Sequence, residues 1–234
     1  MKLLHLLSAG AAQGLVTQLE DRFETESGFG IDASFGAVGM MKDSLLAGAP
    51  CDVLILTEAL ISELTDGGEL LAGSARALGV VKTGVAVRDG EPAPDVSHPA
   101  AFKAALQASR GLYFPDPVKA TAGIHVKRVL QQLGLDIELA DRLRPFPNGA
   151  TAMRALAESA EPALMGCTQI TEILNTPGVQ LVAPLPKEFE LATVYSAAVC
   201  TQSAQPQAAR ELIGLMTSVD AAALRRVCGF AQSA

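Results

Sequence analysis

A short loop, DPVKATAG, places a lysine and a threonine immediately before a predicted helix. Lys119 offers an ammonium group and Thr121 a hydroxyl group. The first N–H groups of a helix have no intrahelical partners, and the helix dipole makes that end positive. Anions bind at such helix ends. The loop therefore predicts an anion site, although Lys119 is alternatively a solvated loop lysine.

A second stretch, PNGAT, comes before another predicted helix. Asn148 and Thr151 offer polar side chains there. Both residue types also cap helices, so ligand contact and simple capping remain alternative interpretations for this pair. Two further groups are able to move protons, Lys42 and His125. His125, one turn into its helix, is either catalytic or structural.

The cysteines and histidines predict neither a metal site nor a cofactor. No two cysteines form a C-x-x-C pair, and the three histidines are widely separated. Most of the cysteines lie in apolar stretches, which is typical of buried thiols, and nothing in their spacing requires a disulfide. The four are Cys51, Cys167, Cys200 and Cys228.

Composition describes a globular chain with a large core. Of the 234 residues, 49% are hydrophobic and 18% are charged. The net charge of −7, with scattered acidic residues, predicts neither a nucleic-acid surface nor an anionic-membrane surface. No apolar run reaches the roughly 20 residues of a membrane span, so no membrane insertion is expected.

The chain alternates strand-like and helix-like segments, which predicts parallel sheets covered by helices. One helix is expected to end at Gly28, and Thr57 is expected to cap another. The predicted strands are 2–7, 31–35, 51–56, 111–114, 162–166 and 179–185. The predicted helices are 13–26, 40–46, 58–66, 102–108, 122–133, 150–158, 168–174, 206–217 and 219–227.

Two long extended runs interrupt this alternation, near residues 79–88 and 190–201. Two α/β series joined by two such runs predict two lobes connected by two crossover strands. Lobe one is then 1–83 plus 194–234, and lobe two is 84–193. Ligands bind beyond the carboxyl ends of strands in open α/β sheets, which predicts a site in the cleft between the lobes.

Four stretches carry a family resemblance: FGAVGMMKDSLLAGAPCDVLIL, YFPDPVKATAGIHVKRVLQQLGL, NGATAMRALAESAEPALMGCTQITEIL and ATVYSAAV. They make the chain similar to type II periplasmic solute-binding proteins, specifically the molybdate-binding-protein-like components of ABC transporters. The stretches occur in the family's order and cover nearly the whole chain. The resemblance implies the two-lobed type II α/β fold, with the ligand cleft between the lobes.

The resemblance also implies a set of ligand-binding residues. Molybdate-binding members use serine hydroxyls and a tyrosine, whereas this chain has Gly10, Val38 and Gly39 at the matching loop positions and Thr168 at the tyrosine position. A carboxylate-bearing ligand is therefore predicted rather than molybdate. The full implied set is Ser8, Gly10, Ala11, Val38, Gly39, Lys119, Thr121, Ala122, Asn148, Thr151, Thr168 and Gln169.

Three functions follow as alternatives. The first is binding of a small anionic solute, carboxylate or oxyanion, with an ABC transporter permease as a partner. The second is an isomerase on the same scaffold, similar to aconitate isomerase, which acts on a small unsaturated carboxylate with Lys119 or His125 as the proton-transferring group. The third is a cytosolic metabolite sensor.

The compartment depends on how the N-terminal stretch is interpreted. LHLLSAGAAQGLV has a short apolar run and small residues that resemble an export signal. The family resemblance assigns it instead to the first strand, a binding loop and the first helix. A cytoplasmic location is expected if Met1 is native, and a periplasmic one if a leader has been removed ahead of it.

Overall fold

The structure, a computed structural model, describes residues 2–232. Residues 1, 233 and 234, which the predicted lobe bounds include, lie outside this range. The strands are β1 Lys2–Ala9, β2 Phe29–Gly36, β3 Val53–Thr57, β4 Arg76–Arg88, β5 Gly111–Pro115, β6 Leu143–Phe146, β7 Leu164–Gln169, β8 Val179–Pro184 and β9 Ala192–Val199. The helices are α1 Gln13–Ser27, α2 Val38–Leu46, α3 Glu58–Asp66, α4 Pro99–Ala108, α5 Thr121–Leu133, α6 Gly149–Glu158, α7 Ile170–Leu174, α8 Pro206–Thr217 and α9 Ala222–Val227.

The chain forms two compact units. Unit 1 consists of Met1–Val81 and Thr193–Ala234, and unit 2 consists of Lys82–Ala192. The chain passes from unit 1 to unit 2 within β4, a strand of 13 residues, and returns at the start of β9. Unit 1 is therefore built from two segments that are distant in sequence.

The sheet of unit 1 has the strand order β2-β1-β3-β9. β1 is parallel to β2 and β3, whereas β9 is antiparallel to β3. The predicted parallel arrangement describes β1, β2 and β3, whereas β9, the strand in the second extended run, adds an antiparallel member because no helical crossover precedes it. The core is rich in leucine and includes Leu4, Leu15, Leu54 and Leu212. As predicted, α1 ends at Gly28, whose φ of 75° is left-handed.

The sheet of unit 2 is also mixed. β5 is parallel to β6 and β7, and β4 is antiparallel to β7 and β8. β6 was missed in the sequence, since a four-residue strand with the composition LRPF has no apolar alternation to reveal it. Buried residues from α4 and α5, among them Phe102 and Val126, pack with β5 and β7 to form the main core.

Several predicted helix starts differ in detail from the structure. Thr168 and Gln169 belong to β7, so α7 begins at Ile170 and not at residue 168. α9 begins at Ala222 and not at residue 219. Thr57 occupies the N-cap position of α3, but its side chain makes no capping hydrogen bond. Periodicity identified these helices, whereas their ends depend on tertiary neighbours.

Candidate functional site

The parallel strands of unit 1 end at one edge of its sheet. Ala9 lies in register with Gly36 of β2, and Ser8 lies in register with Ile55 of β3. The segments that follow β1 and β2 are a 3-10 turn, Gly10–Ala12, and α2. The sheet therefore brings the predicted residues Ser8, Gly10, Ala11, Val38 and Gly39 to the same edge.

These residues offer backbone groups more than hydroxyl groups. Ser8 is fully buried, and its hydroxyl donates to the carbonyl oxygen of Ala9 at 2.9 Å. Val38 and Gly39 are the first two residues of α2, and its N-cap residue, Ala37, makes no side-chain cap. The donors that unit 1 presents at this edge are thus mainly N–H groups at the start of α2.

Lys42 on α2 forms an ion pair within unit 1. Its Nζ lies 2.6 Å from Oε1 of Glu63 on α3. The ammonium group of Lys42 is thus already engaged by a side chain of the protein. Lys42 is therefore a poor candidate for proton abstraction.

In unit 2, the loop before α5 is held by Asp116. One carboxylate oxygen of Asp116 accepts from the N–H groups of Val118 and Lys119, each at 2.7 Å. Lys119 is exposed, and Thr121 is the first residue of α5. The N-cap residue of α5 is Ala120, which supplies no side-chain cap.

Gly123 allows α5 to approach the end of β5. A Cβ at this position would overlap the carbonyl oxygens of Pro115 and Asp116. Because both contacts are with backbone, neither neighbour is able to swing away. The sequence ATAG, residues 120–123, thus combines a helix start that has no side-chain cap with a glycine that allows the helix to pack against the end of β5.

The N-terminus of α6 is filled by a carboxylate of unit 2 itself. Glu172 accepts from the backbone N–H groups of Gly149, Ala150 and Gln169. Its Oε2 also accepts from the hydroxyl of Thr168 at 2.5 Å. Gly149 has no Cβ because one would overlap Glu172 and Thr168 oxygens. The group that accepts from the amides at this helix end is thus a side chain of the protein itself.

Burial raises the pKa of Glu172 above its ordinary value. The hydroxyl of Thr168 and the three backbone N–H groups oppose that rise, because they stabilise the ionised form. Glu172 is only 6% exposed, so removal of the carboxylate from water dominates. The group therefore keeps its proton to a higher pH than an exposed glutamate does.

The other predicted residues near α6 take part in the same network. Asn148 Oδ1 accepts from the N–H group of Thr151 at 2.8 Å and from its hydroxyl at 2.9 Å. These bonds correspond to the capping alternative for this pair. Gln169 is buried at the end of β7. Asn148, Thr151, Thr168 and Gln169 are thus close in space, and ligand contact by any of them stays a prediction.

His125 lies in the second turn of α5. Its Nε2 atom is 2.7 Å from the carbonyl oxygen of Phe189. Since a carbonyl oxygen only accepts, Nε2 carries the hydrogen in this contact, and Nδ1 remains as the nitrogen that is able to take up a proton. This hydrogen bond fits the interpretation of His125 as a structural residue.

Glu172 is the residue at this site that sequence reasoning missed. It follows Thr168 by four residues in TQITEIL, a stretch that also contains Ile170, Ile173 and Leu174. A glutamate in such an apolar stretch is a signal for a buried, hydrogen-bonded carboxylate, since acidic side chains are rarely buried without partners. Across residues 2–232, no group of three or more metal-type side chains is positioned to bind a metal ion, and no helix is long and apolar enough to cross a bilayer.

Comparison with known proteins gives a consistent family. A family model described as bacterial extracellular solute-binding protein matches residues 4–231. Aconitate isomerase from a Pseudomonas species is 28% identical over 225 residues, which are 94% of this chain and 84% of that protein. The molybdate-binding protein ModA of Escherichia coli strain K12 is 26% identical over 198 residues, 81% of this chain and 75% of that protein.

A solved structure shows how far the fold is shared. The periplasmic molybdate-binding protein of Azotobacter vinelandii superposes with a TM-score of 0.83, covering 99% of this chain and all of that one. Sequence identity in this comparison is 21%, so the match demonstrates the fold and not the ligand.

Proposed function

We propose, because this chain belongs to the bacterial extracellular solute-binding protein family, that it binds a small anionic solute. The family resemblance and the type II α/β fold class predicted from the sequence are confirmed. Solute-binding proteins act by reversible binding and conformational closure, without bond chemistry. Their ligand groups are consequently donors and charges rather than nucleophiles.

The observation that carries the proposal is the start of α5. This helix of 13 residues has no side-chain cap from Ala120, and it follows an exposed lysine. Its first N–H groups lack intrahelical partners and lie at the positive end of the dipole. We propose that the anion is bound by these amides, by the Thr121 hydroxyl and by the Lys119 ammonium group.

The ligand class we propose is a carboxylate rather than molybdate. Gly10, Val38 and Gly39 have no hydroxyl group, Ser8 donates to a neighbouring carbonyl, and Thr168 donates to Glu172. A tetrahedral oxyanion that loses such hydroxyl donors is left with unsatisfied oxygens, at about 1–3 kcal/mol each. A planar carboxylate requires fewer donors.

The direct test is isothermal titration calorimetry with trans-aconitate, citrate, molybdate and sulfate. We expect binding of at least one carboxylate and weak or no binding of molybdate. Lys119→Ala should weaken carboxylate binding by more than tenfold, since a charge-assisted contact is lost. Lys127→Ala is the matched control, because Lys127 is an exposed lysine inside α5, beyond its first turn.

Two results would contradict this assignment. Sub-micromolar molybdate binding would exclude the carboxylate preference. Equal affinities for Lys119→Ala and Lys127→Ala would show that the start of α5 is not part of the ligand site. The proposal that the protein binds a solute would still stand.

A second candidate function is isomerisation of a small unsaturated carboxylate. It is favoured by the 28% identity to aconitate isomerase over 94% of the chain. Such a reaction is an allylic proton shift: a base removes a proton from the methylene carbon of trans-aconitate, the double bond moves by one position, and the proton returns at the other end. Lys119 and His125 are our candidates for the proton-transferring group.

Proton NMR of trans-aconitate incubated with the protein in D₂O tests this candidate. Turnover would produce cis-aconitate and introduce deuterium at the exchanging carbon. If Lys119 is the base, Lys119→Ala should abolish turnover even at concentrations of trans-aconitate that saturate the variant. If His125 is the base, His125→Gln should do so. Binding of trans-aconitate without deuterium exchange would leave only the solute-binding function.

The binding role also predicts a partner and a compartment. We propose that the ligand is passed to the permease of an ABC transporter, as expected for substrate-binding components of this type. We further propose a periplasmic location, which the periplasmic relative supports. Fractionation of the native host checks the location, and recovery of the protein with cytoplasmic markers would contradict it. Ligand-dependent binding to the reconstituted permease checks the partner.

A further inference from the structure

Two cysteines of unit 1 lie side by side. The Sγ atoms of Cys51 and Cys200 are 3.2 Å apart. Cys51 stands just before β3 and is half-buried, whereas Cys200 follows β9 directly and is buried. A disulfide bond would require the two sulfur atoms to approach by about 1 Å.

The backbone fixes this proximity. β3 and β9 are antiparallel, with Val53 opposite Val199. The N–H group of Cys200 donates to the carbonyl oxygen of Asp52 at 3.0 Å. The buried carboxylate of Asp52 accepts from the Ser203 hydroxyl at 2.6 Å. The two thiols are therefore held together by the sheet and by the loop that follows it, and not by a side-chain rotamer alone.

The other two cysteines lie in different surroundings. Cys167 is buried in the core of unit 2, where burial raises its pKa to about 12. Cys228 follows α9, and its sulfur accepts from Nε2 of Gln18 at 3.5 Å. These two residues provide built-in controls for any reaction of Cys51 with Cys200.

We propose that Cys51 and Cys200 form an oxidation site, at which a disulfide joins the two sequence segments of unit 1. The pair is separated by 149 positions, and the whole of unit 2 lies between its members. The bond would close unit 1 covalently at the junction of β3 and β9.

The reaction uses a low-molecular-weight disulfide as the oxidant. The Cys51 thiolate, at the more accessible sulfur, attacks that disulfide and releases one small thiol. The Cys200 thiol then loses its proton and attacks the Cys51 sulfur of the mixed disulfide, which releases the second small thiol. Two protein thiols and one small disulfide give one protein disulfide and two small thiols.

The local environment of Cys200 makes the second step dependent on pH. Its hydrogen bond with Cys51 and its burial both raise the pKa of Cys200. Because the attacking species is the thiolate, ring closure should become faster as the pH rises.

The first experiment treats the full chain with oxidised glutathione and counts thiols after denaturation. We expect the reactive thiols to fall from four to two, and peptide mapping to join Cys51 to Cys200. Because a disulfide restricts the unfolded chain, the oxidised protein should melt several degrees higher than the protein treated with dithiothreitol. Cys51→Ser and Cys200→Ser should each abolish this redox dependence.

Cys167→Ser and Cys228→Ser are the matched controls and should retain the redox-dependent melting. Four thiols after oxidation, or mapped bonds that involve Cys167 or Cys228, would overturn the proposal. So would a disulfide that links two copies of the chain. Because the comparison of oxidised with reduced wild-type protein requires no substitution, misfolding of a variant does not affect the test.

Discussion

Two helix starts in unit 2 differ in what occupies them. α5 and α6 follow the parallel strands β5 and β6, and each is preceded by a polar loop. At α6, Glu172 accepts from the first amides and Asn148 caps a later one. At α5, Ala120 provides no side-chain cap. The same sequence signal therefore leads to an internally satisfied helix end in one case and, in our proposal, to a ligand site in the other.

The difference shows what an anion-binding motif requires. A helix N-terminus binds an external anion only if the protein does not provide one of its own. The carboxylate of Glu172 comes from the segment that follows β7. The sequence of the loop before α6 therefore does not reveal that this carboxylate occupies the helix start. Four substitutions separate the two helix ends experimentally.

Gly123→Ala should have the largest effect. The added Cβ meets two backbone carbonyl oxygens and displaces α5 from the end of β5. We expect a loss of about 4 kcal/mol in the free energy of unfolding, at the high end of overpacking effects. Urea denaturation followed by circular dichroism measures it. Gly214→Ala in α8 is the control, because no atom outside the local helix backbone lies within 4 Å of its Cβ position, and it should be neutral or slightly stabilising.

Gly149→Ala should have the second largest effect on the free energy of unfolding. Its Cβ meets the side-chain oxygens of Glu172 and Thr168, which are able to shift but lose buried hydrogen bonds when they do. We expect a loss of about 3 kcal/mol in the same assay. A loss much greater than that of Gly123→Ala would mean that the carboxylate is held more rigidly than the backbone at α5.

Glu172→Gln should change the pH dependence of stability. Burial raises the folded-state pKa of Glu172 above its ordinary value of 4.5. Below the ordinary pKa, both states are protonated. Between the ordinary and the raised pKa, the folded state keeps a proton that the unfolded state has lost, so the free energy of unfolding decreases as the pH rises.

Glu172→Gln should remove this decrease. At neutral pH it should also lower the free energy of unfolding by about 1–2 kcal/mol, because an amide satisfies the backbone donors less well. Urea denaturation at several pH values, for the wild type and the variant, gives the difference. Parallel curves for the two proteins would show that Glu172 does not titrate in this range.

Thr121→Ala should have the smallest effect, and it concerns ligand affinity. Loss of one hydroxyl contact at α5 should weaken carboxylate binding about fivefold, or about 1 kcal/mol. Thr151→Ala at α6 is the comparison, and its affinity should be unchanged because that hydroxyl donates to Asn148. Calorimetric titration distinguishes the two. A loss confined to Thr151→Ala would reverse our assignment of the ligand to α5.

The sequence predicted much of the fold and less of the site. The apolar periodicity of the long helices and the stop at Gly28 identified α1, α5 and α8. β6 is not predicted, because the sequence LRPF lacks the alternation of apolar and polar residues that indicates a strand. Thr168 and Gln169 were predicted to be helical, although they end a buried strand, since a short apolar segment does not distinguish the two states.

The sequence by itself determined the elements, the α/β class and the groups capable of binding an anion, because periodicity, turn residues and residue chemistry are local properties. Only the tertiary structure decided which groups are already engaged. Glu172 reaches the start of α6, the hydroxyl of Ser8 turns back to Ala9, and Cys51 meets Cys200 across 149 positions. Such contacts depend on how distant segments pack, and the pattern of any one segment does not contain them.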